Sequence, residues 1–251
     1  MLTAPSVLPV RALLAGAVLP LLFACAPDAA PAAERGADVG ATGESALAVA
    51  PDFALESQPD GAPARVVLHG VDLTGVGYDR GDPDAPILMV EFSDFGCPYC
   101  AQHALETFPA LASEFVGSGR VFYKHVPFVM GMFPNGDRAA RAAACAGEQD
   151  RFWPMYDSVY AHQAAWKRGR DPDAMLTGLA RNVVPDAARW SSCYAGGGHG
   201  ARTRAANDAA RSLGIRATPT FFVNGQMVEG ALPLPVLRQG LNAMLDELRE
   251  P

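Results

Sequence analysis

Two mainly apolar runs predict the central strands of a sheet; Glu91 interrupts the first, and Lys124 and His125 interrupt the second. The first run spans residues 87–92 and the second spans 121–126. Runs of this kind are typical of strands that are buried on both faces. Between them, apolar residues recur at helical spacing as far as Gly117, and Pro109 is expected to kink that helix. The pattern therefore predicts a βαβ unit, with a short strand before it at 66–68.

The middle of the chain has helical periodicity and no convincing strand pattern. The predicted helices are 137–146, 149–162, 171–182, 185–194 and 201–213. They indicate a helical subdomain at about 137–213. After it, two short apolar segments flank Asn224-Gly225, a pair that suits the tight turn of a β-hairpin. The predicted hairpin strands are 220–223 and 226–229, and 234–248 is predicted to be a closing helix.

The amino-terminal residues predict export. Arg11 precedes an apolar stretch at 12–24 that is shorter than the roughly 20 residues of a membrane-spanning helix. The stretch ends in Leu22-Phe23-Ala24-Cys25, which is similar to a bacterial lipobox and predicts a signal peptide at 1–25 with lipidation of Cys25. Cleavage after Ala26 and an uncleaved signal anchor are the alternatives. Each of the three places the remaining chain outside the cytoplasm.

Residues 26–64 are rich in alanine, proline, glycine and acidic side chains, without a sustained apolar period. Such a segment cannot bury enough surface to offset the entropy of ordering. It is therefore predicted to be a flexible tether, and the folded domain is predicted at 65–251.

Composition excludes one class of function. The chain has 251 residues, of which 49% are hydrophobic, so it can bury a sizeable core. Its formal net charge is −7, and its 20 lysine and arginine residues are scattered along the sequence. Because nucleic-acid binding needs a clustered basic face, we expect no nucleic-acid partner.

The candidate chemistry lies in Cys97-Pro98-Tyr99-Cys100, directly after the first apolar run. A thiol at the end of a strand and the start of a helix is favoured as a thiolate by backbone N–H groups and the helix dipole. That arrangement is typical of thiol–disulfide exchange. Half of a zinc site and an inert structural disulfide are the alternatives for the same spacing.

Three segments in this order resemble the thioredoxin fold as elaborated in the DsbA family. They are 91–100, which contains the two cysteines, then 145–153, which begins Cys-Ala-Gly-Glu-Gln, and then 214–225, which contains Ala-Thr-Pro-Thr. The resemblance implies an α/β thioredoxin fold, βαβ…ββα, with an inserted helical subdomain. It also implies a thiol:disulfide oxidoreductase that introduces disulfides into other proteins. The motifs are similar to those of dimeric periplasmic isomerases too, but the stretch before Val66 looks too short and too disordered for a dimerisation domain, so a monomer is expected.

The resemblance implies roles for the four residues of the cysteine motif. Cys97 would be the exposed nucleophile and Cys100 the shielded partner. Pro98 suits an early helical position, where its missing N–H costs nothing. Tyr99 stands where the best-known oxidases of the family have histidine, so we expect a less stabilised thiolate and a milder oxidant.

Further site residues are implied by the same resemblance. Pro219 corresponds to the cis-proline of the family, and Thr218 before it would line the groove for an incoming polypeptide. Glu91 matches an acidic residue near the buried thiol and could relay a proton to or from Cys100. The alternative for Glu91 is a hydrogen-bonded or partly exposed strand carboxylate, and Asp94 is a possible turn-forming residue.

The remaining cysteines predict a second disulfide. Cys145 and Cys193 both lie in the helical subdomain of a chain that is predicted to be exported, so we expect them to be joined. Two buried free thiols that pack as small apolar side chains are the alternative.

The expected partners follow from the implied chemistry. They are unfolded or partly folded exported proteins with free cysteines, and a membrane protein that regenerates the disulfide; no cofactor and no metal are expected. An isomerase or reductase of the same fold is the main alternative. Less favoured are a copper carrier that uses His103, Met130 and Met132, and a chaperone-like binding module.

Overall fold

The run that starts at Ile87 forms the central strand of a five-stranded sheet in the computed structural model, which describes residues 52–59, 62–129, 131–197 and 200–249. The strands are β1 Phe53–Glu56, β2 Arg65–Leu68, β3 Val71–Asp72, β4 Tyr78–Arg80, β5 Ile87–Ser93, β6 Val121–Pro127, β7 Thr220–Val223 and β8 Gln226–Glu229. The large sheet has the order β4-β6-β5-β7-β8, and only the β5–β6 pair is parallel. A separate antiparallel sheet has the order β1-β2-β3.

Helices connect and cover the large sheet. They are α1 Pro98–Gln102, α2 Phe108–Leu111, α3 Gly136–Gly147, α4 Phe152–Ala161, α5 Gln163–Arg168, α6 Pro172–Arg181, α7 Ala187–Ala195, α8 Gly200–Ser212 and α9 Leu234–Glu247. A π-helical turn at His103–Thr107 joins α1 to α2, shortly before Pro109, whose ring and missing N–H disfavour a regular turn. A second π-helical turn, Ala112–Val116, follows α2.

Both faces of β5 are covered, as its mainly apolar sequence predicts. Ile87 and Met89 point into a core built with helices α3 to α7 and with α9. Leu88, Val90 and Phe92 point into a second core, which includes α8 and the small sheet. Alternation along one strand therefore places α3 to α7 on one side of the sheet and α8 on the other, so the segment predicted as one helical subdomain at about 137–213 is divided between the two faces.

The ordered chain begins earlier than the sequence pattern predicts. Strand β1 lies inside the segment 26–64 that was expected to be a tether, and it pairs antiparallel with β2 from Phe53↔Leu68 to Glu56↔Arg65. Phe53 and Leu55 pack against the core on that side of the sheet. β1 is ordered by its pairing with β2, which the local composition of 26–64 does not reveal. The predicted signal peptide, Cys25 and most of the predicted tether lie outside the described residues.

Strand β4 and helix α5 are also absent from the predicted elements. β4 lies in a glycine-rich segment and becomes a strand by pairing with the edge of β6. Helix α4 ends at Ala161, and a separate helix, α5, starts at Gln163, just beyond the helix predicted for 149–162. Burial of Trp166 fixes this short helix, and its indole N–H donates to the Val159 carbonyl at 2.7 Å. Helix packing rather than local propensity explains α5.

Within the insertion, a disulfide joins α3 to α7. Cys145 and Cys193 have their sulfurs 2.04 Å apart and are separated by 48 residues in sequence. Cys145 is fully buried in the core formed with Trp190.

No helix among the described residues has the length and apolar character needed to cross a membrane.

We predict that replacing both cysteines, Cys145→Ala with Cys193→Ala, lowers the free energy of unfolding by about 2–4 kcal/mol, because the reduced unfolded chain regains the entropy of an open loop. Urea denaturation of the two proteins measures the difference. Treating the parent chain with a reductant that opens this bond should lower its stability to the level of the double variant. Equal midpoints for the parent and the double variant would contradict the prediction.

Candidate active site

A tight turn after β5 positions the cysteine motif. The Asp94 carbonyl accepts the Cys97 N–H at 2.9 Å, and the Asp94 carboxylate accepts the Gly96 N–H at 2.8 Å. Asp94 therefore forms the turn, as its residue type allowed. Gly96 is required for space, because a Cβ there would lie 2.5 Å from the Phe133 Cβ.

The turn places Cys97 at the residue that caps α1. Its backbone is extended, Pro98 is the first helical residue, and Cys100 follows one turn inside the helix. Both thiols are free. The Cys97 thiol lies 3.3 Å from the Thr218 carbonyl and donates to it, and the Thr218–Pro219 peptide bond is cis. The structure thus brings the cysteine motif and the Thr-Pro motif together.

Cys97 is less exposed than the sequence suggested. The prediction of an exposed nucleophile is wrong for this structure, since only 1% of the residue is accessible. The Thr218 carbonyl lies against its sulfur, and Phe133 packs over the neighbouring Gly96. Cys97 nevertheless lines a groove of about 440 Å³, whereas Cys100 is fully buried in the core.

The groove beside Cys97 is mainly apolar. Its lining consists of Cys97, Pro98, Tyr99, Met132, Phe133, Arg216, Ala217, Thr218, Glu229 and Gly230. Tyr99 and Met132 are 63% and 65% exposed, which is high for large apolar side chains. The charged side chains in the lining are Arg216 and Glu229. Such a surface suits an extended polypeptide with apolar side chains.

The pKa values of the two thiols are shifted in opposite directions. The pKa of Cys97 is lowered to about 6, chiefly by a hydrogen bond from Cys100; with smaller contributions from Thr218 and from the backbone N–H groups of Cys100 and Tyr99, this bond outweighs the opposing effect of burial. The pKa of Cys100 is raised well above that of an ordinary thiol, first by burial and then by its hydrogen bond and charge interaction with Cys97. Cys97 therefore carries the thiolate.

A buried polar cluster lies beneath the thiols. Glu91 is fully buried, and its carboxylate accepts from the Tyr123 hydroxyl at 2.6 Å and bonds the His125 ring nitrogen Nδ1 at 2.8 Å. Burial alone would raise the pKa of Glu91, but the charge and hydrogen bond of His125 lower it to about 2. The negative charge of Glu91 in turn raises the pKa of Cys100. Glu91 is thus a buried, paired carboxylate and not a partly exposed one.

Sequence reasoning missed the residues that accompany Glu91. Tyr123 and His125 lie two residues apart on β6 and therefore share one face of the strand. β6 pairs parallel to β5, with His125 opposite Glu91. The sequence did contain a signal for this cluster: a tyrosine and a histidine stand two residues apart in one predicted buried strand, and a glutamate stands in the neighbouring one. Ser93 was also missed: its hydroxyl lies 2.9 Å from that of Tyr160, and its hydrogen bond to Cys100 lowers the pKa of that thiol.

His103 and Met132, two of the three residues considered for copper binding, are separated in the structure. The His103 ring is fully buried, with its centre 4.7 Å from that of Phe221, so it packs in the core. Met132 lies at the groove, and Met130 lies outside the described residues. Among the residues that the structure describes, no three histidine, cysteine or acidic side chains are grouped as metal ligands.

Comparison with known proteins identifies the family. A family model described as thioredoxin matches residues 74–243, which is more than half of the chain. The chain belongs to the thioredoxin family. This membership, together with the structural neighbours, confirms the predicted fold class and the resemblance to DsbA-like proteins.

The chain is similar to sequences of two kinds. It is 35% identical over 158 residues to the Na(+)/H(+) antiporter NhaA 1 of Salinispora arenicola, in a match that covers 63% of this chain and 23% of the antiporter. It is 28% identical over 151 residues to the probable disulfide bond formation protein D of Bacillus anthracis, covering 59% of this chain and 69% of that protein. The chain thus spans about a quarter of the length of the antiporter relatives.

Solved structures share the fold. BdbD from Bacillus subtilis has a TM-score of 0.61 at 22% identity, covering 68% of this chain and 94% of BdbD. DsbA from Chlamydia trachomatis has a TM-score of 0.62 at 19% identity, covering 70% of this chain and 94% of that DsbA.

We predict that the alkylation rate of Cys97 rises as the pH increases through about 6 and is nearly constant at neutral pH, because the thiolate is the reactive form. Peptide mass spectrometry after brief iodoacetamide treatment of the reduced chain resolves each cysteine. Cys100 should label slowly across the same range, and also in a Cys97→Ser variant. A Cys97 midpoint at the pH of an ordinary thiol would contradict the assignment.

Proposed function

We propose that the chain is an extracytoplasmic thiol:disulfide oxidoreductase that uses Cys97 and Cys100 to introduce disulfides into exported proteins. One observation carries the proposal: two neighbouring thiols at a helix start have pKa values shifted in opposite directions, and the more acidic one borders an apolar groove. An inert structural disulfide has no need of a stabilised thiolate. The name of the Bacillus anthracis relative, which refers to disulfide bond formation, is consistent with this activity.

The reaction starts from the Cys97–Cys100 disulfide. A substrate thiolate attacks the sulfur of Cys97, forms a mixed disulfide and breaks the Cys97–Cys100 bond. Cys100 leaves and takes up a proton, which its raised pKa favours. A second substrate thiolate then attacks the substrate sulfur of the mixed disulfide, and Cys97 leaves as a thiolate. The substrate loses two electrons and the dithiol gains them.

The groove explains how a polypeptide would meet the sulfur. An extended segment can lie beside Thr218 and form main-chain hydrogen bonds there, while its apolar side chains contact Met132, Phe133 and Tyr99. Pro98 is the first residue of α1 and fixes its first turn. Because it has no backbone N–H, it offers no donor that would compete for the bound substrate polypeptide. Pro219 holds the loop that presents Thr218 to Cys97. Contacts of this kind accept many sequences, as a general oxidase requires.

The proposed location is the periplasm or the outer face of the cell membrane. It rests on the export signal predicted at 1–25 and on the proposed lipid at Cys25, both outside the described residues. A membrane protein that accepts the two electrons would regenerate the disulfide. The chain is proposed to act as a monomer, without a cofactor.

We further propose that Glu91 acts on Cys100 through its charge. A carboxylate with a pKa of about 2 is ionised at neutral pH, so it favours a protonated Cys100 without itself holding the proton. Proton exchange with Cys100 would then involve the neighbouring hydroxyl of Ser93, which bonds that thiol.

The oxidase direction predicts that Cys97 and Cys100 are mostly disulfide-bonded in the cell. Acid quenching, alkylation and mass spectrometry measure the ratio. In vitro, the oxidised chain should form disulfides in a reduced unfolded polypeptide, since the reduced dithiol is stabilised by its thiolate. The Cys97→Ser variant should be inactive, and the Cys145→Ala/Cys193→Ala variant should remain active. A mostly reduced pair in the cell would reject the oxidase and favour an isomerase or reductase.

The charge of Glu91 predicts the effect of Glu91→Gln. Removing the negative charge should lower the pKa of Cys100, and so increase its alkylation rate at neutral pH in a Cys97→Ser background. Tyr123→Phe is the matched control, because it removes a hydrogen bond to Glu91 and leaves the charge in place. The proposal fails when both variants change the rate equally or when neither does.

A further inference from the structure

Two side chains of the inserted subdomain bind the backbone of the active-site turn. The Gln163 amide donates to the Phe95 carbonyl at 2.7 Å and to the Cys97 carbonyl at 2.8 Å. The Lys167 ammonium donates to the Gly96 carbonyl between them. Helix α5 therefore holds three successive carbonyls of the segment that carries the nucleophile. Gln163 and Lys167 are four residues apart, which places them on one face of the helix.

Helix α5 is a firm support for these contacts. Its Trp166 is fully buried and bonded to Val159 in α4. At its other end, the Asn135 side chain donates to the Lys167 carbonyl at 3.3 Å. A helix of six residues has little stability alone, so these contacts fix its position.

The held carbonyls lie next to the reacting sulfur. Cys97 is the residue before α1, and its carbonyl also accepts the Ala101 N–H at 3.1 Å, the first hydrogen bond of the active-site helix. The orientation of this turn decides whether the N–H groups of α1 point at the Cys97 sulfur. The donors from α5 also offset the partial negative charge of nearby carbonyl oxygens, and Lys167 adds a positive charge. Both effects favour a thiolate over a neutral disulfide.

Lys167 also links the turn to the groove wall. Its ammonium lies 5.0 Å from the centre of the Phe133 ring, which lines the groove and packs over Gly96. The same side chain therefore contacts the backbone beneath the nucleophile and the surface on which a substrate would lie.

We propose that Gln163 and Lys167 are positioning residues of the redox centre, which hold the turn before Cys97 and so make the dithiol a stronger oxidant. The inference rests on the proposed function and deepens it, because it assigns part of the control of the redox equilibrium to the helical insertion. Neither residue contacts the sulfur through a side-chain bond. Their effect is transmitted by the carbonyls of residues 95–97.

Gln163→Ala tests the proposal. The reduced form should lose stabilisation, so the equilibrium of the full chain with reduced and oxidised glutathione should shift about three- to tenfold towards the Cys97–Cys100 disulfide. Quantitative mass spectrometry of the peptide that carries Cys97 and Cys100 measures the equilibrium. The alkylation midpoint of Cys97 should move to higher pH in the same variant.

Gln149→Ala is the matched control. Gln149 is in the same subdomain and also makes two side-chain bonds to backbone, with the carbonyl and the N–H of Asp186, each at 3.0 Å. Its loss should lower stability to urea and leave the glutathione equilibrium unchanged. An unchanged equilibrium in Gln163→Ala, or an equal shift in both variants, would overturn the positioning role.

Lys167 supplies a second, independent test. Lys167→Met removes the charge and the donor, so it should shift the glutathione equilibrium in the same direction as Gln163→Ala. Lys167→Arg retains both, so its equilibrium should stay close to that of the parent chain. Equal values for the two Lys167 variants would contradict the proposal. A measurement on the parent chain distinguishes this failure from failure of the proposed function. If the oxidised parent chain forms no disulfides in a reduced polypeptide, the oxidase function itself is rejected.

Discussion

Burial of β5 on both faces is the constraint on which the rest of the structure depends. All seven of its residues are inaccessible, so strands must flank it and helices or a second sheet must cover it. The neighbours then bring their own residues to its carboxyl end. β7 runs antiparallel with Thr220 opposite Phe92, which places Thr218 beside the turn that carries Cys97. β6 runs parallel and places His125 opposite Glu91.

The buried charge of Glu91 connects stability with chemistry. An isolated carboxylate in the interior would cost several kcal/mol, and the bonds from His125 and Tyr123 offset that cost. Burial, Cys97 and then the paired carboxylate raise the pKa of Cys100, while the hydrogen bond from Cys100 and, to a smaller extent, the helix start lower that of Cys97. Two chemically identical thiols thereby become different through burial and through neighbours on separate strands, and their order along α1 decides which one meets the groove.

Local patterns predicted the parts of the structure whose cause is local. The runs that became β5 and β6, the Asn224-Gly225 hairpin and most helices of the insertion follow periodicity or turn chemistry. β1, β4 and α5 were not predictable in this way, because each is fixed by pairing or packing with another element: β1 with β2, β4 with β6, and α5 with α4 through Trp166. The cysteine motif itself was evident, whereas His125 and Gln163 gain their roles only when folding brings them to Glu91 and to the turn.

The contact between α5 and the active-site turn has a thermodynamic consequence. Contacts that stabilise the reduced dithiol must themselves be strengthened by reduction, to the same extent, because coupling between two sites is reciprocal. Under the role proposed for Gln163 and Lys167, α5 is held more tightly when Cys97 is a thiolate than when it is oxidised. The rate of local opening of the insertion would then depend on the redox state of Cys97, which lies 66 positions before Gln163 in the sequence.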